Sequence, residues 1–217
     1  MPCFHHFLDK LNEQPSYDLS KLQSQKEAAV MGRPSNREER REQILQAFAR
    51  VLANHGYAGA TVGAVADEAE LGRGLIHYHF KDKEELLFAL LQSLTTGFRK
   101  RVRHHLGDND PLEAYVEGAL SLGPTADVVA ARCWVGLLAE AMRNPTLFRH
   151  VRRLIDTEIG TIQKASNQNF SAHDASAVLA FTIGSLVMGA FAPRKTAGFA
   201  APALRRFIAM LREPSRD

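Results

Sequence analysis

Residues 61–86 read TVGAVADEAELGRGLIHYHFKDKEEL, and the spacing of their apolar side chains decides the fold. Thr61 is a suitable N-cap for a short helix, whose small or branched inward residues would be Val62, Val65, Ala66 and Ala69. Leu71-Gly72 then gives a tight turn, and a second short helix is predicted over Arg73–His79. Two short helices joined in this way, after a longer amphipathic helix, indicate a helix-turn-helix.

The second short helix, here called the reading helix, has one apolar side and one polar side. Ile76 and Phe80 face inward in this pattern, and the residues left outward are Arg73, Leu75, His77 and Tyr78. In helix-turn-helix proteins the second helix enters the major groove of DNA, where its N-terminal residues meet base edges. The outward side is therefore the candidate DNA-contacting surface.

Helices are predicted on both sides of this motif. A helix over residues 36–55 has its apolar face at Ile44, Leu45, Phe48, Val51 and Leu52, and Gly56 is expected to end it. After the motif, the pattern predicts helices over 83–106, 111–122, 126–143, 145–167, 173–191 and 201–212. Because no stretch shows sustained strand alternation, the expected fold is all-α with about nine helices.

Composition favours a globular protein in a reducing compartment. Hydrophobic residues make up 45% of the 217 residues, and the two cysteines, Cys3 and Cys133, are too few for a disulfide framework, so a cytoplasmic location is expected. The longest apolar stretch, residues 175–192, is interrupted by glycines and is interpreted as an interface helix, with no membrane partner expected. A net charge of +3 permits nucleic-acid binding without requiring it.

The first 35 residues are polar and weakly periodic, and we interpret residues 1–35 as a flexible N-terminal arm. An equally weighted alternative is that translation starts at Met31, directly before Gly32-Arg33-Pro34, so that the first thirty residues are an upstream extension. The sequence leaves both possibilities open.

The motif resembles the signature of the tetracycline-repressor (TetR) family over about residues 41–91. The matching residues are Thr61, Val62, Val65, Ala66, Ala69, Leu71, Gly72, Gly74, Ile76, His79, Phe80, Lys83 and Leu86. The resemblance implies a three-helix DNA-binding domain over 36–83 and a larger helical domain over 84–217 for a small ligand and for dimerisation. Helix number, order and total length agree with that arrangement.

The resemblance also implies individual roles in DNA binding. The helix N-terminus at Thr61 would meet a phosphate, Arg73 and Tyr78 would contact bases, and Lys83 would pair with the DNA backbone. The chain departs from the family where Gly72 replaces the usual serine cap, Glu70 a glycine, and His77 a tyrosine that touches phosphate. The predicted DNA-binding residues are Arg40, Thr61, Gly72, Arg73, Gly74, His77, Tyr78 and Lys83.

A ligand pocket is implied among helices four to seven. Around Trp134, the single tryptophan, the segment is similar to choline-responsive betaine-pathway repressors of this family, with Leu138 where those proteins carry a second tryptophan. Glu140 is a candidate charge for a cationic ligand, or else a solvated side chain. The predicted pocket residues, all apolar and at helical spacing, are Phe88, Leu91, Trp134, Leu137, Leu138, Met142 and Phe148.

The last two predicted helices would form the interface of a homodimer. Two reading helices related by a two-fold axis would meet major grooves about 34 Å apart, so the expected operator is palindromic double-stranded DNA. The predicted interface residues are Gly184, Met188, Leu204, Phe207, Ile208 and Leu211.

These features predict a transcriptional regulator, most simply a repressor released by a small-molecule effector, with activation left open. Nucleophile-elbow, phosphate-loop and HExxH motifs are all missing from the sequence, so no enzyme, catalytic residue, cofactor or metal is expected. A helical interaction protein that has lost DNA binding is the rival hypothesis. The basic run over 99–103 is interpreted as cations near a helix C-terminus.

Overall fold

The computed structural model describes residues 36–107, 110–120, 128–196 and 198–212. Regular structure in these residues is entirely helical, which confirms the all-α prediction. The predicted N-terminal arm, with Cys3 and Met31, lies outside the described residues, as does the stretch over 121–127. The chain divides after Arg40, and every tertiary contact given below lies within residues 41–217.

Ten helices are present in the described residues. They are α1 (Asn36–Gly59), α2 (Val62–Ala69), α3 (Arg73–His79), α4 (Lys83–Leu106), α5 (Pro111–Leu120), α6 (Val128–Ala141), α7 (Pro145–Ala165), α8 (Ala172–Phe191), α9 (Pro193–Thr196) and α10 (Ala200–Arg212). The helix missing from the prediction is α9, a single turn between the last two long helices. The predicted division of function near residue 83 stays a prediction.

Local sequence accounts for most of the helix ends. Asp82 caps α4 by accepting a hydrogen bond from the Glu85 amide at 2.8 Å, and Asn144 caps α7 just before Pro145. Gly56, expected to end the first helix, produces a kink instead. Its φ of 68° and ψ of 178° leave the helical region, and helical structure then continues to Gly59.

The first of two apolar cores, here called the head core, joins the reading helix to later parts of the chain. Phe48 of α1, Val65 of α2 and Ile76 of α3 are buried in it together with Leu87 of α4 and Leu137 of α6. The helices α1 to α3 therefore have no separate core of their own. Their burial depends on α4 and α6.

The second core, here called the rear core, is built by α5, α7, α8 and α10. Tyr115, Ile162, Val178 and Leu204 are among its buried residues. Ile155 of α7 packs against both cores. The rear core thus meets the head core along α7.

The helices α4 and α5 touch at Gly118, where no side chain could be accommodated. A Cβ atom placed there would lie 2.7 Å from the backbone nitrogen and Cα atom of Val102. The backbone of α5 therefore rests directly on α4. Gly160, in contrast, lies inside α7 with no atom within 4 Å of an added Cβ.

This contrast predicts opposite effects of the same substitution at the two glycines. Gly118→Ala should lower the free energy of unfolding by about 1–3 kcal/mol, because α4 and α5 must separate to admit the methyl group. Gly160→Ala should raise it by about 0.5–1 kcal/mol through helix propensity alone. Urea denaturation at one protein concentration measures both, and equal effects of the two substitutions would contradict the close contact.

Candidate nucleic-acid interface and effector cavity

The turn between α2 and α3 is held by polar contacts to backbone groups. The Thr61 hydroxyl accepts a hydrogen bond from the Ala64 amide at 3.1 Å, and Gln43 Nε2 donates to the Ala69 carbonyl at 2.8 Å. Glu70 follows in the left-handed region with a φ of 55°. It stands where the resembling family carries glycine, and a side chain there costs about 1 kcal/mol.

The reading helix α3 presents most of the outward side that the sequence predicts, but Leu75, also predicted to face outward, is half-buried. Arg73, Gly74, His77 and Tyr78 are exposed, and the Tyr78 side chain is 67% exposed. The inward residues Ile76, His79 and Phe80 are buried. Since a guanidinium and a phenol project from a helix whose other side is fixed in a core, this surface is suited to contact base edges.

Glycines keep the approach to α3 open. Gly72, which caps the helix without a side-chain hydrogen bond, and Gly74 have no atom within 4 Å of an added Cβ. At Gly63 of α2 an added Cβ would lie 3.0 Å from the Arg73 guanidinium. The Arg73 side chain therefore lies against the first turn of α2, and Gly63 leaves it the space to do so.

Arg41 of α1 anchors the end of the reading helix and is not among the residues predicted from the sequence. Its guanidinium donates to the His79 carbonyl at 2.6 Å, lies 4.0 Å from the centre of the Phe80 ring, and is 3.3 Å from a carboxylate oxygen of Glu85. Its position three residues before the inward Ile44 was the available signal.

Lys83, predicted to meet the DNA backbone, makes contacts inside the protein. Its ammonium donates to the Tyr57 carbonyl at 2.7 Å and lies 4.0 Å from the centre of the Tyr57 ring. Burial, followed by the charges of Glu140, Glu84 and Asp82, raises the pKa of Tyr57. An ammonium has three N–H donors, so Lys83 can donate to the Tyr57 carbonyl and still donate to another acceptor. Arg40 is an exposed residue of α1.

A cavity of about 110 Å³ opens between the head core and the rear core. It is lined by α4, α5, α6, α7 and α8, and its floor includes Ile155, the residue shared by the two cores. The lining is mainly apolar, with Phe98, Tyr115 and Trp134 as its aromatic members. A pocket was predicted among the fourth to seventh helices, and this cavity is lined by α8 as well.

Of the seven predicted pocket residues, Trp134 and Leu138 line this cavity. The other five lie elsewhere: Leu91 and Leu137 are buried in the head core, Phe88 is half-buried beside His150, and Met142 and Phe148 are exposed. Helical spacing placed these side chains on apolar faces. Spacing alone does not say whether such a face meets a core, a cavity or the surface.

Glu158 is the buried acidic side chain among the described residues of the cavity, and nothing in its sequence pattern singled it out. Burial raises the pKa of this carboxyl to about 7, opposed by the Arg99 guanidinium 3.9 Å away. Tyr115 is fully buried, and burial together with the charge of Glu158 raises the pKa of its phenol well above the usual range. Among the described lining residues, which also include the basic Arg101, Glu158 is the one acidic side chain and gives the cavity its site of negative charge when ionised.

The surface of α8 and α10 differs in part from the predicted dimer interface. Gly184 and Met188 are exposed, and Phe207 and Leu211 are half-buried. Leu204 and Ile208 are buried in the rear core of the same protomer because this side of α10 packs on α5, so they are not available to a partner. The exposed large apolar residues missing from the prediction are Phe191, Phe199 and Met210.

Helix α8 is also long and apolar enough to cross a membrane, judged by length and composition alone. It packs against α5, α6, α7 and α10, which places one side of it inside the rear core. No group of three or more metal-ligating side chains occurs within the described part of the chain.

Known proteins share both the motif and the fold. Residues 44–90 match the family described as bacterial regulatory proteins, tetR family. The transcriptional regulator BetI of Burkholderia thailandensis is 27% identical over 164 residues, which cover 72% of this chain and 84% of that protein. A TetR-family transcriptional regulator from a Rhodococcus species has a TM-score of 0.67 at 26% identity, covering 81% of this chain and 100% of its own.

A solved structure of a transcriptional regulator from Saccharomonospora viridis holds choline. Its TM-score is 0.63 at 24% identity, with 79% of this chain and 96% of that chain covered. This likeness extends the agreement in fold through the helices beyond the matched N-terminal motif.

The Arg41 contacts predict that this residue stabilises the protein more than a surface arginine does. Arg41→Met should lower the free energy of unfolding by about 1–2 kcal/mol, because it removes a hydrogen bond from a charged donor to the end of α3. The matched control is Arg50→Met, which breaks an exposed ion pair with Glu68 and should cost less than about 1 kcal/mol. Equal losses in urea denaturation would contradict the anchoring role.

Glu158 predicts a pH dependence of stability. The folded protein binds a proton at this carboxyl near pH 7, whereas the unfolded chain binds it only near 4.5. As the pH falls from about 8 to about 5, this group should therefore raise the free energy of unfolding, by at most about 3 kcal/mol. Denaturation of the wild type and of Glu158→Gln at both pH values isolates the effect, and identical pH profiles would contradict it.

Proposed function

The chain belongs to the tetR family of bacterial regulatory proteins, and from that premise we propose that it is a repressor released from its operator by a small molecule. Regulators of this family bind operator DNA as homodimers, respond to small-molecule effectors and are not enzymes. The observation that carries the proposal is the exposed side of α3, which is held between a buried core and the Arg41 anchor. Its place of action would be the cytoplasm, where the operator is.

On the DNA side, each proposed contact follows from exposure and chemistry. Arg73 and Tyr78 would read base edges in the major groove, and His77 would donate to a phosphate. Because Gly72 and Gly74 have no side chains, the DNA could come close to the backbone at the start of α3. Thr61 at the start of α2, Lys83 and Arg40 complete the proposed set of phosphate contacts.

The homodimer would use the exposed apolar side chains of α8 and α10. Met188, Phe191 and Met210 are large, apolar and exposed, and Gly184 permits two helices to approach closely. Exposed apolar groups of this size on successive helices are typical of an interface. A two-fold dimer places two reading helices on successive major grooves and so requires a palindromic operator.

The effector would bind the cavity between the two cores. Helix α4 lines this cavity through Phe98, and the same helix begins at Lys83, directly after the reading helix. A ligand that changes the packing of α4 would therefore alter the separation of the two reading helices in the dimer. Coupling of this kind amounts to about 1–3 kcal/mol, or roughly 5–150-fold in operator affinity.

The test is a fluorescence-anisotropy titration on DNA from the region upstream of the protein's own gene. The double variant Arg73→Ala, Tyr78→Ala should lose about 100-fold in affinity, since each base contact is worth about 1–3 kcal/mol. Arg152→Ala, an exposed arginine on α7, is the control and should bind as the parent does. If all three proteins bind equally and weakly, and salt abolishes this binding, the result would instead favour an interaction protein that has lost sequence-specific DNA binding.

A further inference from the structure

We propose that the cavity is a receptor for a small organic cation, whose ammonium group pairs with Glu158 while its apolar part lies among Phe98, Tyr115 and Trp134. The inference rests on the proposed function, because it assigns a chemical class to the effector of the same cavity. It depends on two features of the lining: a buried carboxylate that accepts no hydrogen bond from the described residues, and three aromatic rings.

The carboxylate of Glu158 is buried and short of partners. Its side chain is 10% exposed, and none of the described residues donates a hydrogen bond to it. The nearest cation is the Arg99 guanidinium at 3.9 Å, which is beyond hydrogen-bond distance. A buried carboxylate in this situation is unfavourable in its charged form, and a ligand that donates hydrogen bonds from a cation would remove that cost.

The aromatic rings supply a second attraction for the same kind of ligand. The rings of Phe98 and Tyr115 stand at 88° to each other with centres 5.6 Å apart, and Trp134 lines the cavity from α6. The face of an aromatic ring attracts a cation, most strongly where water is excluded. The rings also provide apolar surface for the uncharged part of the ligand.

The other charged side chains near the cavity are the arginines Arg99 and Arg101, which by themselves oppose a cation, so the preference has to come from Glu158 and the rings. The Arg99 guanidinium lies 3.9 Å from Glu158, and Arg101 of the same helix lines the cavity. Tyr115 of α5 lies close enough for the charge of Glu158 to raise the pKa of its phenol. Among the described lining residues, α6 and α8 contribute no titratable side chain. Arg101 donates from Nε to the Gly118 carbonyl at 3.1 Å, which directs part of its guanidinium to the backbone of α5. An anionic ligand would have to displace or neutralise Glu158.

A matched pair of probes tests the sign of the charge. Benzylammonium and benzyl alcohol are similar in size and shape but differ in charge, and a single ring suits a cavity of about 110 Å³. Binding is followed by the fluorescence of Trp134, the chain's one tryptophan, which lines the cavity. At pH 8.5 we expect benzylammonium to bind about tenfold more tightly than benzyl alcohol, as a charge-assisted hydrogen bond would give.

Two variants show whether Glu158 causes the preference. In Glu158→Gln the two probes should bind equally, with the affinity for benzyl alcohol unchanged. The control is Asp156→Asn, which neutralises an exposed carboxylate of α7 outside the cavity and should keep the tenfold preference. In the wild type the preference should also disappear at about pH 6, where the Glu158 carboxyl is protonated.

Three outcomes would each overturn the proposal. They are equal binding of the two probes by the wild type, no response to either probe at millimolar concentration, and an intact preference in Glu158→Gln. No DNA is present in this experiment, so its outcome is independent of operator binding. Probe binding as expected, together with loss of sequence-specific DNA binding in the anisotropy titration, would count against the proposed function alone.

Discussion

Phe48 of α1 and Leu137 of α6 lie in one apolar core, and this shared burial is the constraint on which the rest of the structure depends. The short helices α2 and α3 have too little apolar surface to form a stable unit alone. They pack on α1, which packs in turn on α6: the Cys133 thiol lies 3.2 Å from the Ala49 carbonyl oxygen, and Gly136 lies against Leu52. The orientation of the reading helix therefore depends on the position of helices that also line the cavity.

The cavity lies where a bound ligand can change the packing of the helices on which the reading helix depends. It lies between the head core and the rear core, and α4 contributes Leu87 to one core while its Phe98 packs against the other. A ligand that occupies the boundary must be accommodated by α4 or α7, because close-packed interiors do not deform continuously. The contact of α5 with α4 at Gly118 makes independent movement of α4 harder and ties its displacement to the rear core.

The sequence predicted local structure well, because local structure is set by side chains close in the chain. The Thr61 cap, the Gly72 turn and the inward Ile76 and Phe80 follow from spacing and capping. Contacts between residues distant in sequence could not be predicted from these local patterns. Arg41 bonds to a carbonyl 38 residues away, and the carboxyl of Glu158 is significant because of the rings that α4, α5 and α6 bring to it. Likewise, α10 has an apolar stripe in its sequence, but only the fold shows that Leu204 faces α5 and not a partner protomer.

Native-state hydrogen exchange in increasing urea tests the shared core most directly. If the head core is one cooperative unit, the slowest amides around Phe48 in α1 and around Leu137 in α6 should exchange through a common opening, with the same free energy and the same dependence on urea. If the amides of α1 to α3 opened at a clearly lower free energy while those of α6 stayed protected, the reading helices would form an independent unit. The proposed route from the cavity to the DNA-binding surface would then be contradicted.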